Sequence, residues 1–200
     1  MKNLARLAGL ALVFLCFAFV NAPSRKTIVI DAGHGGDDHG ARHDDLSEKQ
    51  LVHNIAAKIK ALDLSSETNI VLLREDDVFM SLEERTTKIN ELHPDLLISL
   101  HVNYSQNRSE NGVSAFVSQN SADYEGSRQK AEKLINEIAG KHLAKKEIKN
   151  ANLYVLNHTQ CPGLLLELGY LTNDRDRSYI SSEAGQQEIA NNIMNCLRKP

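Results

Sequence analysis

The sequence predicts an α/β fold, a single domain with a mostly parallel central sheet of about six strands flanked by helices. Short runs of Val, Ile and Leu alternate with longer stretches that carry apolar residues at helical spacing, the order typical of βα units. The 200 residues, 42% of them hydrophobic, fit one globular domain with a buried core. No internal repeat marks a second domain in residues 23–200.

Residues 1–22 differ from the rest of the chain. Lys2 and Arg6 precede an apolar run over residues 7–20, a length typical of a signal peptide and too short for a membrane span. We therefore expect export to the periplasm or cell envelope and a mature domain over residues 23–200 without a membrane span. The cleavage position stays open, and so does retention of the segment as an anchor.

The composition argues against some partners and some kinds of metal site. The formal net charge is −3, and it becomes −5 without the two bases of residues 1–22, so nucleic acid is not an expected partner. Cys161 and Cys196 remain in the mature chain, and whether they pair stays open. Because no Cys-rich zinc spacing is present, any metal must use His and carboxylate ligands.

The first predicted strand, residues 27–30, leads into a glycine-rich loop that carries a histidine. Gly33, Gly35 and Gly36 flank His34. Glycine adopts backbone conformations closed to other residues and leaves the imidazole without a neighbouring side chain. These features suit a metal ligand beside an open coordination position. The alternative is an ordinary turn with a surface histidine.

An amphipathic helix is predicted over residues 46–62. Its apolar positions recur at helical spacing at Leu51, Ile55, Ile59 and Leu62. Glu48 lies in the first turn, and the sequence Asp45-Leu46-Ser47-Glu48 has the form of a capping box, which the spacing alone favours. The alternative is that Glu48 projects toward the neighbouring strand end and binds a cation there.

A strand over residues 69–73 precedes a helix that begins after Ser81, in a second sequence of capping-box form, and ends before Pro94. Within this helix Arg85 is expected to lie inward and pair with an acid. A buried arginine usually ties elements together by several hydrogen bonds, so this role is structural.

The third strand, residues 96–101, ends in a second histidine, His101. A histidine that closes a buried strand is often an ordinary core residue. However, the carboxyl ends of parallel strands meet at one edge of a sheet, so two such strands would bring His34 and His101 together.

The remaining elements follow from the same patterns. Strands are predicted over residues 113–117, 153–156 and 164–170, and a helix over residues 123–143. The lysine-rich piece through Lys149 is predicted to be a solvated connection. The C-terminal region from residue 173 is predicted to be helical, packed on the core through Ile189, Ile193 and Leu197.

Glu167 lies in the middle of the otherwise apolar strand over residues 164–170. An unpaired charge would be costly there. The residues leave two roles open for it: a salt bridge to a buried arginine such as Arg85, or catalysis.

His34, Glu48 and His101 form a two-histidine, one-carboxylate set, the ligand chemistry of catalytic zinc. In these residues the sequence resembles the bacterial zinc-dependent N-acetylmuramoyl-L-alanine amidases, which cut the amide between the lactyl group of muramic acid and the stem peptide of peptidoglycan. The resemblance extends over residues 26–196. It rests on ordered blocks at residues 31–41, 46–49, 74–85, 99–103 and 162–173.

The resemblance implies one zinc ion per chain on His34, Glu48 and His101, with Glu167 as the catalytic base. It implies peptidoglycan as substrate, a monomer, and an open site, and it leaves the need for an activating protein undecided. Asn103 is expected to orient either the substrate or the groups around the metal ligands. Asn157 departs from the basic residue that is frequent there in the family.

Two other functions compete with this one. The chain could be another zinc peptidoglycan hydrolase that cuts within the stem peptide. It could also be a metal-free wall-binding or regulatory protein on the same fold. Product analysis separates the first from an amidase, and metal content separates the second.

Overall fold

The computed structural model describes residues 25–64 and 67–198. The signal peptide expected over residues 1–22 lies outside these ranges. Within them, none of the helices combines the length and the apolar character that crossing a bilayer requires.

A six-stranded sheet forms the centre of the molecule and confirms the predicted fold class. Its strands are β1 (Lys26–Ala32), β4 (Thr68–Leu72), β5 (Leu96–Asn103), β6 (Val113–Val117), β7 (Lys145–Asn150) and β8 (Gly163–Tyr170). Their order is β4-β1-β5-β8-β6-β7. Within this sheet of the described residues the β6–β8 pair alone is antiparallel, so β1, β5 and β8 end at the same edge. The two-residue strands β2 (Arg42–His43) and β3 (Leu46–Ser47) form a separate ribbon.

Helices cover both faces of the sheet. They are α1 (Glu48–Ala61), α2 (Leu82–Leu92), α3 (Tyr124–Ile138), α4 (Tyr154–His158), α5 (Asp174–Ile180) and α6 (Glu183–Arg198). The larger core cluster joins one sheet face to α1, α3, α5 and α6, and the smaller one joins the other face to α2 and α4. Because both faces are buried, the central strands are apolar at nearly every position.

The helix α2 begins as predicted. The Ser81 hydroxyl accepts a hydrogen bond from the Glu84 amide, and the Glu84 carboxylate accepts one from the Ser81 amide, so the capping box is complete. His93 follows the helix in a left-handed conformation, with φ of 45°, just before Pro94.

In the second half of the chain two predictions are wrong, and the predicted end of one helix is misplaced. Residues 145–150 form the edge strand β7 and not the predicted solvated connection. A strand is possible here because an edge strand needs only one partner and tolerates exposed lysines. The helix predicted over residues 123–143 ends at Ile138. Residues 153–156 belong to no strand: β7 occupies the edge beside β6, and Val155 and Leu156 are buried as part of the short helix α4.

Candidate metal centre

The structure brings together the three side chains that sequence analysis proposed as ligands. His34 follows β1, Glu48 opens α1 and His101 lies near the end of β5. One ligand atom of each lies within 4.8 Å of the other two. The Glu48 Oε1 atom is 3.0 Å from His34 Nε2 and 2.9 Å from His101 Nδ1. A single ion could therefore contact all three residues.

Glu48 does not act as a helix cap, so the capping-box interpretation is wrong. Ser47 occupies the N-cap position and makes no side-chain capping bond. The Glu48 carboxylate instead accepts hydrogen bonds from the amides of Ala41 (2.8 Å) and Val102 (3.0 Å). Burial alone would raise its pKa, but the two imidazoles outweigh burial and hold the pKa of Glu48 well below its ordinary value. Glu48 is thus a fixed, buried carboxylate.

His34 is held by a second carboxylate on the opposite side of its ring. Its Nδ1 atom lies 2.8 Å from Asp38 Oδ2, and the other oxygen of Asp38 accepts from the Gly40 amide at 3.0 Å. Burial lowers the pKa of His34, but Glu48 and Asp38 together raise it to about 8. When Nδ1 donates its proton to Asp38, the lone pair of the neutral imidazole lies on Nε2, which faces Glu48.

Two glycines make room for the ligand side chains. A Cβ atom on Gly33 would lie 2.4 Å from the His101 ring, and one on Gly40 would lie 2.5 Å from the Glu48 carboxylate. The sequence predicts that Gly33, Gly35 and Gly36 leave His34 uncrowded. The structure shows that Gly33 instead accommodates the ring of His101, from a different strand. No local sequence signal indicates this contact.

Two buried arginines fix the backbone of the loop. Arg74 donates to the carbonyl oxygens of Ala32 (2.9 Å) and Gly33 (3.0 Å). Arg85 donates to the carbonyl oxygen of His34 and forms a buried ion pair with Asp31. Arg85 is therefore inward and paired with an acid, as predicted, and its partner is not Glu167.

Glu167 lies beside His101, its register partner on the neighbouring strand. Its Oε2 atom is buried and has no hydrogen-bond partner among the described residues. Burial and, to a smaller extent, the charge of Glu48 raise the pKa of Glu167 against the lowering effect of the two histidines, and the net value is about 7. A carboxyl group with this pKa can both accept and return a proton near neutral pH.

Other residues singled out in the sequence have local partners. The Asn103 side chain accepts from the adjacent amide of Tyr104 at 2.8 Å. Asn157 is hydrogen-bonded to Ser118 and Asn152. Cys161 and Cys196 are buried in clusters on opposite faces of the sheet and do not form a disulfide with each other.

The donor set fits a small divalent cation. Two imidazole nitrogens and one carboxylate oxygen are donors that zinc prefers, and donor atoms on a tetrahedral zinc ion lie about 3.3 Å apart. The three donors here lie within 4.8 Å of one another, so small side-chain rotations would suffice. With three protein ligands, a fourth position stays open for water or substrate.

A cavity of about 260 Å³ opens beside these side chains, between the sheet and the helices α2 and α4. His34 and His101 form part of its wall, and most of the remaining wall is apolar. The cavity therefore adjoins the two imidazoles of the candidate metal centre.

The chain is similar in sequence to a family model and to known bacterial proteins. A family model described as N-acetylmuramoyl-L-alanine amidase matches residues 28–199. The uncharacterized protein YqiI of Bacillus subtilis is 37% identical over 195 residues, which cover 94% of this chain and 92% of YqiI. N-acetylmuramoyl-L-alanine amidase LytC of the same organism is 31% identical over 172 residues, which cover 84% of this chain and 34% of LytC.

The fold of the chain is also similar to that of a solved amidase structure. The catalytic domain of CwlV, an N-acetylmuramoyl-L-alanine amidase from Bacillus (Paenibacillus) polymyxa var. colistinus, superposes with a TM-score of 0.78 at 27% identity. The match covers 86% of this chain and 96% of that domain. The chain thus spans nearly all of a catalytic domain but only about a third of LytC.

Proposed function

Because the chain belongs to the N-acetylmuramoyl-L-alanine amidase family, we propose that it hydrolyses the amide between the lactyl group of N-acetylmuramic acid and the L-alanine of the peptidoglycan stem peptide. The observation that carries this proposal is the buried Glu167 carboxyl beside the group formed by His34, Glu48 and His101. Three residues supply metal donors, and the fourth supplies a proton acceptor.

His34, Glu48 and His101 would hold one zinc ion per chain. When bound, zinc polarises a carbonyl group and lowers the pKa of water in its coordination sphere. The buried, doubly hydrogen-bonded Glu48 supplies the negative charge of the ligand set, and Asp38 keeps the His34 Nε2 lone pair directed at the site. The ligands are therefore positioned before any substrate arrives.

Glu167 would act as the general base and then as the general acid. Its carboxylate accepts a proton from the attacking water as the new bond to the amide carbon forms. It then returns this proton to the alanine nitrogen as the carbon–nitrogen bond breaks, since an amine cannot leave unprotonated. Burial, which raises the pKa of this carboxyl above its ordinary value in the metal-free protein, favours its uptake of the proton.

The location of the proposed substrate indicates where the protein acts. Peptidoglycan lies outside the cytoplasmic membrane, so we propose that residues 1–22 direct export and that residues 23–200 form the catalytic domain, which acts as a monomer in the periplasm or cell envelope. Whether a protein partner activates it is answered by testing the purified chain alone.

Digestion of purified sacculi by the zinc-loaded protein tests this function. An amidase releases peptides that begin with L-alanine and leaves muramic acid with a free lactyl carboxylate, as mass spectrometry would show. Glu167→Gln should retain zinc and release nothing. New amino termini within the stem peptide would indicate a peptidase instead. Sedimentation with sacculi without cleavage or bound metal would indicate a wall-binding protein.

A further inference from the structure

Three large apolar side chains are exposed around the mouth of the cavity beside the metal centre. Phe79, Leu82 and Tyr154 are 60%, 53% and 41% exposed. They belong to the six large hydrophobic residues that are exposed in the described part of the chain, and all three line this cavity. We call these three residues the apolar rim. Their clustering at one opening points to a ligand-binding surface.

Apart from the two histidines and the ion they would hold, the wall below the rim carries no side-chain cation that could pair with a ligand anion. Arg85 is the one basic side chain besides the two histidines that lines the cavity, and its guanidinium is occupied by Asp31 and by backbone carbonyls. Asp38, the other carboxylate of the wall, is bound to His34. Away from the metal ligands the wall therefore offers an anionic group no free partner, which favours an uncharged ligand.

The rim is fixed relative to the metal centre. A Cβ atom on Gly36 would lie 2.7 Å from the Phe79 amide nitrogen, so the segment that carries Phe79 packs directly on the loop that carries His34. On the other side, the Tyr154 ring stacks on His158 with centroids 4.1 Å apart and an interplanar angle of 21°. The backbone that carries Phe79 and the ring of Tyr154 are thus held in place before a ligand binds.

We propose that the apolar rim and its cavity bind the uncharged N-acetylated sugar of the substrate, and that the stem peptide leaves the metal centre in another direction. The proposal rests on the function proposed above. On the sugar side of the scissile amide, the substrate has no charge, because the lactyl carboxyl is part of that amide. On the peptide side, carboxylates begin at the second residue.

Shape and electronic structure support the same orientation. The C–H groups of a pyranose face carry partial positive charge and pack on the negative face of an aromatic ring. Small-ligand pockets start at about 300 Å³, and the cavity of about 260 Å³ is of the size expected for one sugar ring. A single alanine methyl group would leave most of this volume unfilled.

Binding of the two halves of the substrate tests the proposal. The probes are N-acetylmuramic acid with its lactyl carboxyl capped as a primary amide, and the free tripeptide L-Ala-γ-D-Glu-L-Lys. Calorimetry would use zinc-loaded protein in the Glu167→Gln background, so that neither probe is turned over. Phe79→Ala and Tyr154→Ala are each expected to raise the Kd of the sugar probe by about tenfold. Neither should change the Kd of the tripeptide.

Two further variants serve as controls. Tyr154→Phe keeps the stacking face and should retain the affinity for the sugar. Leu64→Ala removes an exposed leucine that does not line the cavity and should change neither Kd. Weaker tripeptide binding in the rim variants, or an unchanged sugar Kd, would overturn the proposal. Failure of the proposed function would show separately, as an absence of cleavage of sacculi by the wild-type protein while rim-dependent sugar binding persists.

Discussion

The Nδ1 atom of His34 lies 2.8 Å from the Oδ2 atom of Asp38, four residues along the same loop. Asp38 is fixed in turn by the Gly40 amide, and Gly35 and Asp38 exchange two backbone hydrogen bonds. This short closed turn sets the direction of the His34 ring. A carboxylate on the second nitrogen of a metal-binding histidine also makes the imidazole a better donor.

Asp38→Asn should therefore weaken metal binding. Loss of such a partner typically lowers metal affinity by about 10- to 100-fold. Competition with a chelator of known zinc affinity measures the change. Asp37→Asn is the matched control, because Asp37 is the exposed neighbour in the same turn. Equal zinc affinities for the two variants would show that Asp38 does not position His34.

Glu167 should make the stability of the metal-free protein depend on pH. Its pKa is raised from 4.5 to about 7 in the folded state. Between pH 4.5 and about 7 the folded form therefore binds more protons than the unfolded form. As a result, the contribution of Glu167 to the free energy of unfolding is lost as the pH rises through this range. Glu167→Gln does not titrate, so its stability relative to wild type should increase by about 3 kcal/mol between about pH 4 and about pH 8.

Urea unfolding of both proteins without metal measures this difference at each pH. The change of the difference with pH is the relevant quantity, because it cancels any fixed effect of the substitution itself. A difference that stays constant with pH would mean that Glu167 has an ordinary pKa, which would remove the basis for its role as a proton carrier near neutrality.

The Asp31–Arg85 ion pair should be essential for stability. Both side chains are almost fully buried, and the Ser99 hydroxyl donates a further hydrogen bond to Asp31 at 2.9 Å. Arg85→Leu leaves the Asp31 charge buried without its partner, which typically costs about 3–5 kcal/mol in the free energy of unfolding. Arg128→Leu, on the exposed side of α3, should cost less than about 0.5 kcal/mol. A small effect at Arg85 would contradict a structural role for this pair.

Cys161 should react slowly in the native protein. Burial raises the pKa of its thiol to about 11, so little thiolate is present at neutral pH. Alkylation followed by peptide mass spectrometry should label Cys161 only after unfolding. A peptide in which Cys161 is joined to Cys196 would contradict the structure, which places the two residues on opposite faces of the sheet.

The sequence predicted the parts of the site that depend on strand order. His34 and His101 could be placed together because each ends a buried strand and parallel strands finish at one edge. Glu48 was ambiguous, since a carboxylate in the first turn of a helix is compatible with both a cap and a ligand. Its two backbone donors, Ala41 and Val102, are distant contacts that no local pattern encodes.

The wrong predictions for β7 and α4 have a similar origin. The run of lysines in β7 is typical of solvent-exposed chain, and only the edge position explains why it forms a strand. The apolar residues of α4 are compatible with a strand in the sequence, because a five-residue helix is too short for helical periodicity to show. In both cases the tertiary neighbours decide the local conformation.

Zinc K-edge X-ray absorption of the stoichiometrically loaded protein tests the central claim most directly. We expect nitrogen and oxygen ligands at about 2.0–2.1 Å, the scattering pattern of two imidazoles, and no sulfur at about 2.3 Å. His34→Ala and His101→Ala should each lose one imidazole. A sulfur ligand, or an imidazole signal that neither substitution changes, would show that the ion is not bound by His34, Glu48 and His101.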